Sequence, residues 1–133
     1  MKSTISTVFV GGEDAAASSA SEPHQVPTFT SRAQWQLHFN EVKETSKLMV
    51  IDFSASWCGP CKTIMPAFLD MAEKFSDVDF VIVDVDELND VAGEFSVRAM
   101  PTFVLVKRGR EVERIVGADK DQLENKVSHY SAQ

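Results

Sequence analysis

The chain has 133 residues, of which 13 are Lys or Arg and 20 are Asp or Glu, so its formal net charge is −7. This length predicts one domain, large enough to bury a hydrophobic core. The acidic balance argues against nucleic acid or an anionic membrane surface as the main partner. No apolar run in the sequence reaches the length of a membrane-spanning helix, so we expect no membrane span.

The first 26 residues differ in composition from the rest of the chain. Residues 11–21 are small and polar, with too little apolar surface to offset the entropy lost on ordering. Residues 5–10 are compatible with a short strand whose partner the sequence does not fix. The stretch lacks the features of a signal or transit peptide, and Lys2 stands where myristoylation needs glycine. We therefore predict a flexible extension over residues 1–26 and a folded domain over residues 27–133.

The regular pattern begins with residues 26–29, which predict a short edge strand because a proline fits only a sheet edge or a strand start. Ser31 with Gln34 resembles a capping box and predicts a helix that continues to about residue 45. Residues 48–54 form an apolar run with one acid, which predicts a strand buried on both faces.

A second helix is predicted from Cys58 to about Phe75 by an apolar stripe at helical spacing, with Pro66 expected to kink it. Residues 78–84 predict another buried strand. Asp86 is expected to cap the short helix that follows.

Two strands over residues 102–107 and 111–116 are predicted to form a hairpin, and Asp119 with Gln122 to begin a last helix. The resulting order, β-α-β-α-β-α-β-β-α, predicts an α/β fold in which a mixed central sheet carries helices on both faces.

Cys58 and Cys61 are the only cysteines, and they lie where the strand of residues 48–54 leads into a helix. Residues three apart on a helix share a face, at a distance that a disulfide can span. A disulfide that closes so small a ring would stabilise the fold by only about 2 kcal/mol through loop entropy. A reversible redox role therefore explains the pair better than a structural disulfide. A zinc half-site has the same spacing, but the three histidines do not supply further ligands at metal-site spacing, so we expect no metal.

The two sulfurs are expected to differ because a helix N-terminus stabilises a thiolate. Cys58, at the helix start, is predicted to be the exposed nucleophile. Cys61, one turn further in, is predicted to be more buried and to resolve the mixed disulfide. Pro60 lies where a missing N–H costs least, and Gly59 leaves room for a substrate backbone.

Asp52 is the only charge in its strand, and it lies six residues before Cys58. We expect it to point inward near the cysteines, where desolvation raises its pKa and lets it exchange a proton with Cys61. The alternative is a buried acid with satisfied hydrogen bonds and no catalytic part.

Residues 53–62, which contain Trp57-Cys58-Gly59-Pro60-Cys61-Lys62, resemble the active site of thioredoxins, and residues 99–103 resemble their cis-proline loop. Together with residues 83–88 and 116–118, the resemblance covers roughly residues 28–130 and is strongest to the h-type thioredoxins of plants. It implies the thioredoxin fold and a cis bond between Met100 and Pro101.

The resemblance also implies a docking surface on which Trp57, Met100 and Gly117 bind an extended substrate strand. Many thioredoxins carry a lysine facing the buried aspartate, whereas the aligned position here is Ile82. The pKa of Asp52 is therefore expected to be higher than in those relatives.

The function implied is that of a protein-disulfide reductase that keeps target proteins reduced and maintains redox balance. We expect the protein to be a monomer and, because the sequence shows no targeting signal, to be cytoplasmic. Its electrons would come from NADPH through an NADPH-dependent thioredoxin reductase, and the chain itself would bind no cofactor. Two alternatives remain open at this point. One is a disulfide oxidase or isomerase, although those tend to have a histidine between the cysteines; the other is a binding module without turnover.

Overall fold

The computed structural model describes residues 26–133, and the predicted strand over residues 5–10 lies outside them. The order of the helices and strands is the predicted one. The elements are β1 (Thr28–Phe29), α1 (Arg32–Val42), β2 (Leu48–Ser54), α2 (Gly59–Lys74), β3 (Asp79–Asp84), α3 (Asn89–Glu94), β4 (Thr102–Lys107), β5 (Arg110–Val116) and α4 (Lys120–Ser131).

The five strands form one mixed sheet in the order β1-β3-β2-β4-β5. Strand β3 runs parallel to both β1 and β2, whereas β4 runs antiparallel to β2 and β5. The short strand β1 lies at an edge, as its proline predicts, and the carbonyl of Pro27 accepts a hydrogen bond from the Ile82 N–H at 2.9 Å. The predicted mixed sheet is therefore confirmed.

Two hydrophobic cores lie on opposite faces of the sheet, because successive strand residues point to opposite faces. Strand β2 shows the division: Leu48 and Val50 belong to one core, and Met49 and Ile51 belong to the other. We call the first the α2–α4 core; its helical members are Ile64, Phe68, Met71, Ala72, Leu123 and Val127. We call the second the α1–α3 core; its helical members are Trp35, Val91 and Ala92.

Side-chain caps begin two helices where the sequence predicts them. The Ser31 hydroxyl accepts the Gln34 N–H at 3.4 Å, and the Asp119 carboxylate accepts the Gln122 N–H at 3.1 Å. Helix α2 continues through Pro66, and helix α1 ends at Val42, a few residues before its predicted end.

The prediction that Asp86 caps α3 is wrong. Leu88 occupies the cap position of that helix and makes no side-chain cap bond. The carboxylate that organises the preceding turn belongs to Asp84, whose Oδ1 accepts the N–H groups of Asp86 and Glu87. Asp86 itself bonds to a distant residue in the functional site, described below.

None of the helices between residues 26 and 133 combines the length and the hydropathy needed to cross a bilayer.

Candidate active site

The two cysteines lie where β2 leads into α2, and they form a disulfide with their Cα atoms 5.3 Å apart. Cys58 is the N-cap residue of α2, so its sulfur accepts the backbone N–H of Cys61 at 3.2 Å. Cys61 lies inside the first turn. A helix N-terminus favours negative charge through its free N–H groups and its dipole, so this geometry favours a thiolate at Cys58 over one at Cys61.

Both cysteines are buried in this oxidised state. Cys58 is 4% exposed and Cys61 is 1% exposed, so the expectation that Cys58 lies on the exposed side of the turn is wrong here. The burial has a clear cause, because Ala55 and the partly buried Met100 pack against the two sulfur-bearing side chains.

Asp52 lies in the middle of β2 and is fully buried. Within residues 26–133, neither of its carboxyl oxygens meets a hydrogen-bond donor. Its cross-strand neighbours are Ile82 on β3 and Phe103 on β4, both members of the α2–α4 core. Burial raises the pKa of Asp52 from 3.8 to about 7, because the apolar surroundings penalise the charged form.

The idea of a satisfied structural acid therefore does not describe Asp52. Its carboxyl group is held in an apolar core without a bonding partner in the described part of the chain. Ordinary core acids are bonded, and an unsatisfied one needs a separate explanation. A group that titrates near neutral pH can both accept and return a proton there.

Trp57 is 65% exposed beside the cysteines, yet its indole ring is anchored. Its Nε1–H donates to Oδ2 of Asp86 at 3.0 Å. Sequence reasoning missed this role of Asp86, because the two residues are 29 positions apart and nothing in the local pattern links them. The bond holds a large apolar side chain at the surface, where a partner can contact it.

The bond between Met100 and Pro101 is cis, as the resemblance implies. The Pro101 carbonyl accepts the backbone N–H of Gly117 at 2.8 Å, which ties the loop before β4 to the end of β5. Gly117 has a φ of +102°, a conformation that favours glycine. Its neighbour Val116, which no motif in the sequence singles out, is 60% exposed and adds apolar area beside this loop.

The structure thus brings Cys58, Cys61 and Met100 into contact, and it joins Pro101 to Gly117. At Gly59, an added methyl group would meet no atom of residues 26–133 within 4 Å, so this position leaves open space beside the disulfide. No group of three or more His, Cys, Asp or Glu side chains in the same residues is arranged to hold a metal ion.

The family model described as thioredoxin matches residues 28–129. Thioredoxin H2 of Arabidopsis thaliana is 66% identical over 133 residues, which cover 99% of this chain and 100% of that protein. Thioredoxin H2-1 of Oryza sativa subsp. japonica is 58% identical over 98 residues, 74% of this chain and 71% of that protein. The crystal structure of a thioredoxin from Nicotiana alata superimposes with a TM-score of 0.80 at 58% identity, covering 84% of this chain and 96% of that one.

Proposed function

The chain belongs to the thioredoxin family, and we propose that its reaction begins at Cys58 and is completed by Cys61. As a thiol-disulfide oxidoreductase of that family, it reduces the disulfides of target proteins through this cysteine pair and so maintains redox balance. The observation that supports the division of roles is the hydrogen bond from the Cys61 N–H to the Cys58 sulfur. It directs the positive end of α2 at Cys58.

In the first step, the Cys58 thiolate attacks one sulfur of a target disulfide. The target S–S bond breaks, a mixed disulfide forms, and the second target sulfur leaves as a thiolate. In the next step, the Cys61 thiol loses its proton and attacks the Cys58 sulfur, which forms the Cys58–Cys61 disulfide and releases the first target sulfur. Two electrons pass to the target, and its two thiolates take up two protons.

We assign to Asp52 the role of accepting the proton of the Cys61 thiol. Burial raises the pKa of its carboxyl group to about 7, which matches a proton acceptor that works near neutral pH. The lack of a hydrogen-bond partner within residues 26–133 supports this role, since no competing donor stabilises the carboxylate.

The docking surface consists of the exposed residues that flank Cys58 and of the less exposed loop before β4 with Gly117 beside it. Trp57 and Met100 supply apolar contact, and the Met100 backbone pairs with an extended target segment in the manner of an added strand. The remaining members, Gly59, Pro60, Pro101 and Gly117, shape the backbone and leave room for the target.

Each turnover leaves the chain oxidised, so a donor of two electrons must recharge it. We assign this role to an NADPH-dependent thioredoxin reductase, so that NADPH acts on the reductase and no cofactor binds this chain. A reductant of this kind works where thiols are kept reduced, which favours the cytoplasm. The net charge of −7 favours a monomer through repulsion between copies.

A coupled assay tests the proposal in two arms. The chain is mixed with insulin and either dithiothreitol or NADPH plus a purified plant NADPH-dependent thioredoxin reductase. We expect insulin reduction in both arms and NADPH consumption in the second. If the chain accelerates insulin reduction in the dithiothreitol arm but not in the reductase arm, the assignment of the reductase is wrong. If it accelerates insulin reduction in neither arm, the assignment of the active site is wrong.

A further inference from the structure

The loop that carries Met100 and Pro101 is held at one end by strand β5 and at the other by the residue directly after it. This loop, residues 95–101, connects α3 to β4. At its far end, Gly117 directly after β5 bonds the carbonyl of Pro101.

At the near end, the bonds come from the Arg114 side chain in the middle of β5. Its guanidinium donates through Nη2 to the carbonyl of Phe95 and through Nη1 to the carbonyl of Ser96, the latter at 3.4 Å. Arg114 lies opposite Val104 in the register of β4 and β5, and Val104 belongs to the α1–α3 core. The side chain therefore extends over the sheet face against which α3 packs.

The turn that Arg114 contacts has an unfavourable backbone conformation. Ser96 has a φ of +56°, in the left-handed region that helix ends usually reserve for glycine. The Val97 N–H bonds to the Ala92 carbonyl at 2.9 Å and the Ser96 N–H bonds to the Gly93 carbonyl at 3.0 Å, the pattern of a Schellman motif. The carbonyls of Phe95 and Ser96 have no partner within that motif, and Arg114 supplies one for each.

Arg114 is itself fixed by a carboxylate on the same strand. Its Nε donates to Oε2 of Glu111 at 2.8 Å, and its Nη2 donates to Oε1 of Glu111 at 3.0 Å. The guanidinium makes these four bonds from one planar group with five N–H donors in fixed directions, whereas an ammonium group has only three donors on a flexible stem. The arginine is thus held rigidly between β5 and the end of α3.

We propose that Arg114 is a positioning residue for target binding. By holding the start of the loop while Gly117 holds its end, Arg114 sets the place of the Met100 backbone beside the disulfide. This inference rests on the proposed function, in which a target segment pairs with Met100 and contacts Trp57. Arg114 acts on binding through the loop and does not touch the reacting sulfurs.

The test compares Arg114→Met and Arg114→Lys with the control Arg32→Met. Arg32 also ties an element to α3, through Asp90 at 3.0 Å and Glu94 at 2.8 Å, but these bonds go to helix side chains and not to the loop. For each full-length variant, KM and kcat are measured for insulin reduction, together with the rate at which the reduced protein reacts with a small aromatic disulfide that needs no docking.

We expect both Arg114 variants to raise the KM for insulin about fivefold, with kcat and the small-disulfide rate within about twofold of the unsubstituted chain. Arg32→Met should leave all three quantities unchanged. Amide hydrogen exchange should increase in residues 95–101 and not across the sheet, which separates loop positioning from general loss of stability.

Trp57→Ala separates failure of this inference from failure of the proposed function. If Trp57→Ala raises the KM and neither Arg114 variant does, the inference is wrong and the docking surface stands. If none of the three raises it, the docking surface is wrong and the inference falls with it. An equal rise in Arg32→Met, or hydrogen exchange that increases across the whole sheet, would also overturn the inference.

Discussion

Asp52 lies directly beside Ile82 in the parallel register of β2 and β3. The buried carboxyl group therefore has an aliphatic neighbour on β3, at the position where many thioredoxins carry a lysine. Phe103 on β4 is the neighbour on the other side, so the carboxyl group is flanked by apolar side chains on both adjacent strands. This arrangement explains why burial alone moves the pKa of Asp52 so far.

The first prediction concerns stability. The pKa of Asp52 is about 7 when folded and near 3.8 when unfolded, so the folded protein holds an extra proton between these values. Its free energy of unfolding should fall as the pH rises from about 4 to about 7, by up to about 4 kcal/mol. Asp52→Asn removes this titration, so it should be more stable than the unsubstituted chain at pH 8 and similar at pH 4.

Urea unfolding of the oxidised protein at both pH values measures the difference. Asp70→Asn, at an exposed position on α2, is the matched control; it keeps Asp52 and should have the same stability as the unsubstituted chain at both pH values. Equal stability of Asp52→Asn and the unsubstituted chain at pH 8 would show that burial of the carboxylate costs little.

The second prediction concerns the neighbour of Asp52. An ammonium group within about 4–6 Å lowers the pKa of a carboxyl group by about 1–3 units. Ile82→Lys places such a group on the adjacent strand, so the titration midpoint of Asp52 should fall by at least about one unit. Carbon-13 NMR of the carboxyl group in the oxidised protein follows this midpoint directly. Ile82→Met, which adds no charge, should leave the titration midpoint of Asp52 unchanged. An unchanged midpoint in Ile82→Lys as well would contradict the prediction.

How far the sequence predicts this molecule depends on the range of the interactions involved. Periodicity and caps act over a few residues, and they predicted the order of the elements and the helix starts at Ser31 and Asp119. The prediction for Asp86 fails because its carboxylate accepts a hydrogen bond from Trp57, 29 positions away, and no local pattern indicates such a contact. The bonds of Arg114 to Phe95 and Ser96 join separate elements, so no local pattern indicates them.

The third prediction concerns the proton of Cys61. If Asp52 accepts this proton, Asp52→Asn should slow the decay of the mixed disulfide at neutral pH by at least about tenfold. The first attack by Cys58 should change much less, because its thiolate depends on the start of α2. Stopped-flow kinetics with a disulfide substrate resolves the two steps. If the mixed disulfide of Asp52→Asn decays at an unchanged rate, Asp52 has only a structural role.

The fourth prediction concerns residues 1–26, whose composition suggests that they are dispensable for disulfide reduction. Val26, however, packs against the α2–α4 core. A chain starting at Val26 should keep full insulin-reducing activity and stability, whereas a chain starting at Pro27 should lose about 1 kcal/mol from the free energy of unfolding. A large loss of activity or stability in the chain that retains Val26 would show that the preceding residues support the domain.

The fifth prediction tests the central claim, that Cys58 attacks and Cys61 resolves. The Cys58 sulfur, at the N-cap, accepts a backbone N–H from the start of α2. Cys58 should therefore stay reactive when Cys61 is replaced. The reduced Cys58→Ser and Cys61→Ser chains are each mixed with insulin, quenched with acid and weighed by mass spectrometry.

Cys61→Ser should accumulate a covalent adduct with an insulin chain that persists until an external thiol is added, since the sulfur that would release it is missing. Cys58→Ser should give little adduct over the same time. An equal or larger yield of adduct from Cys58→Ser would contradict the assignment of nucleophile and resolving cysteine.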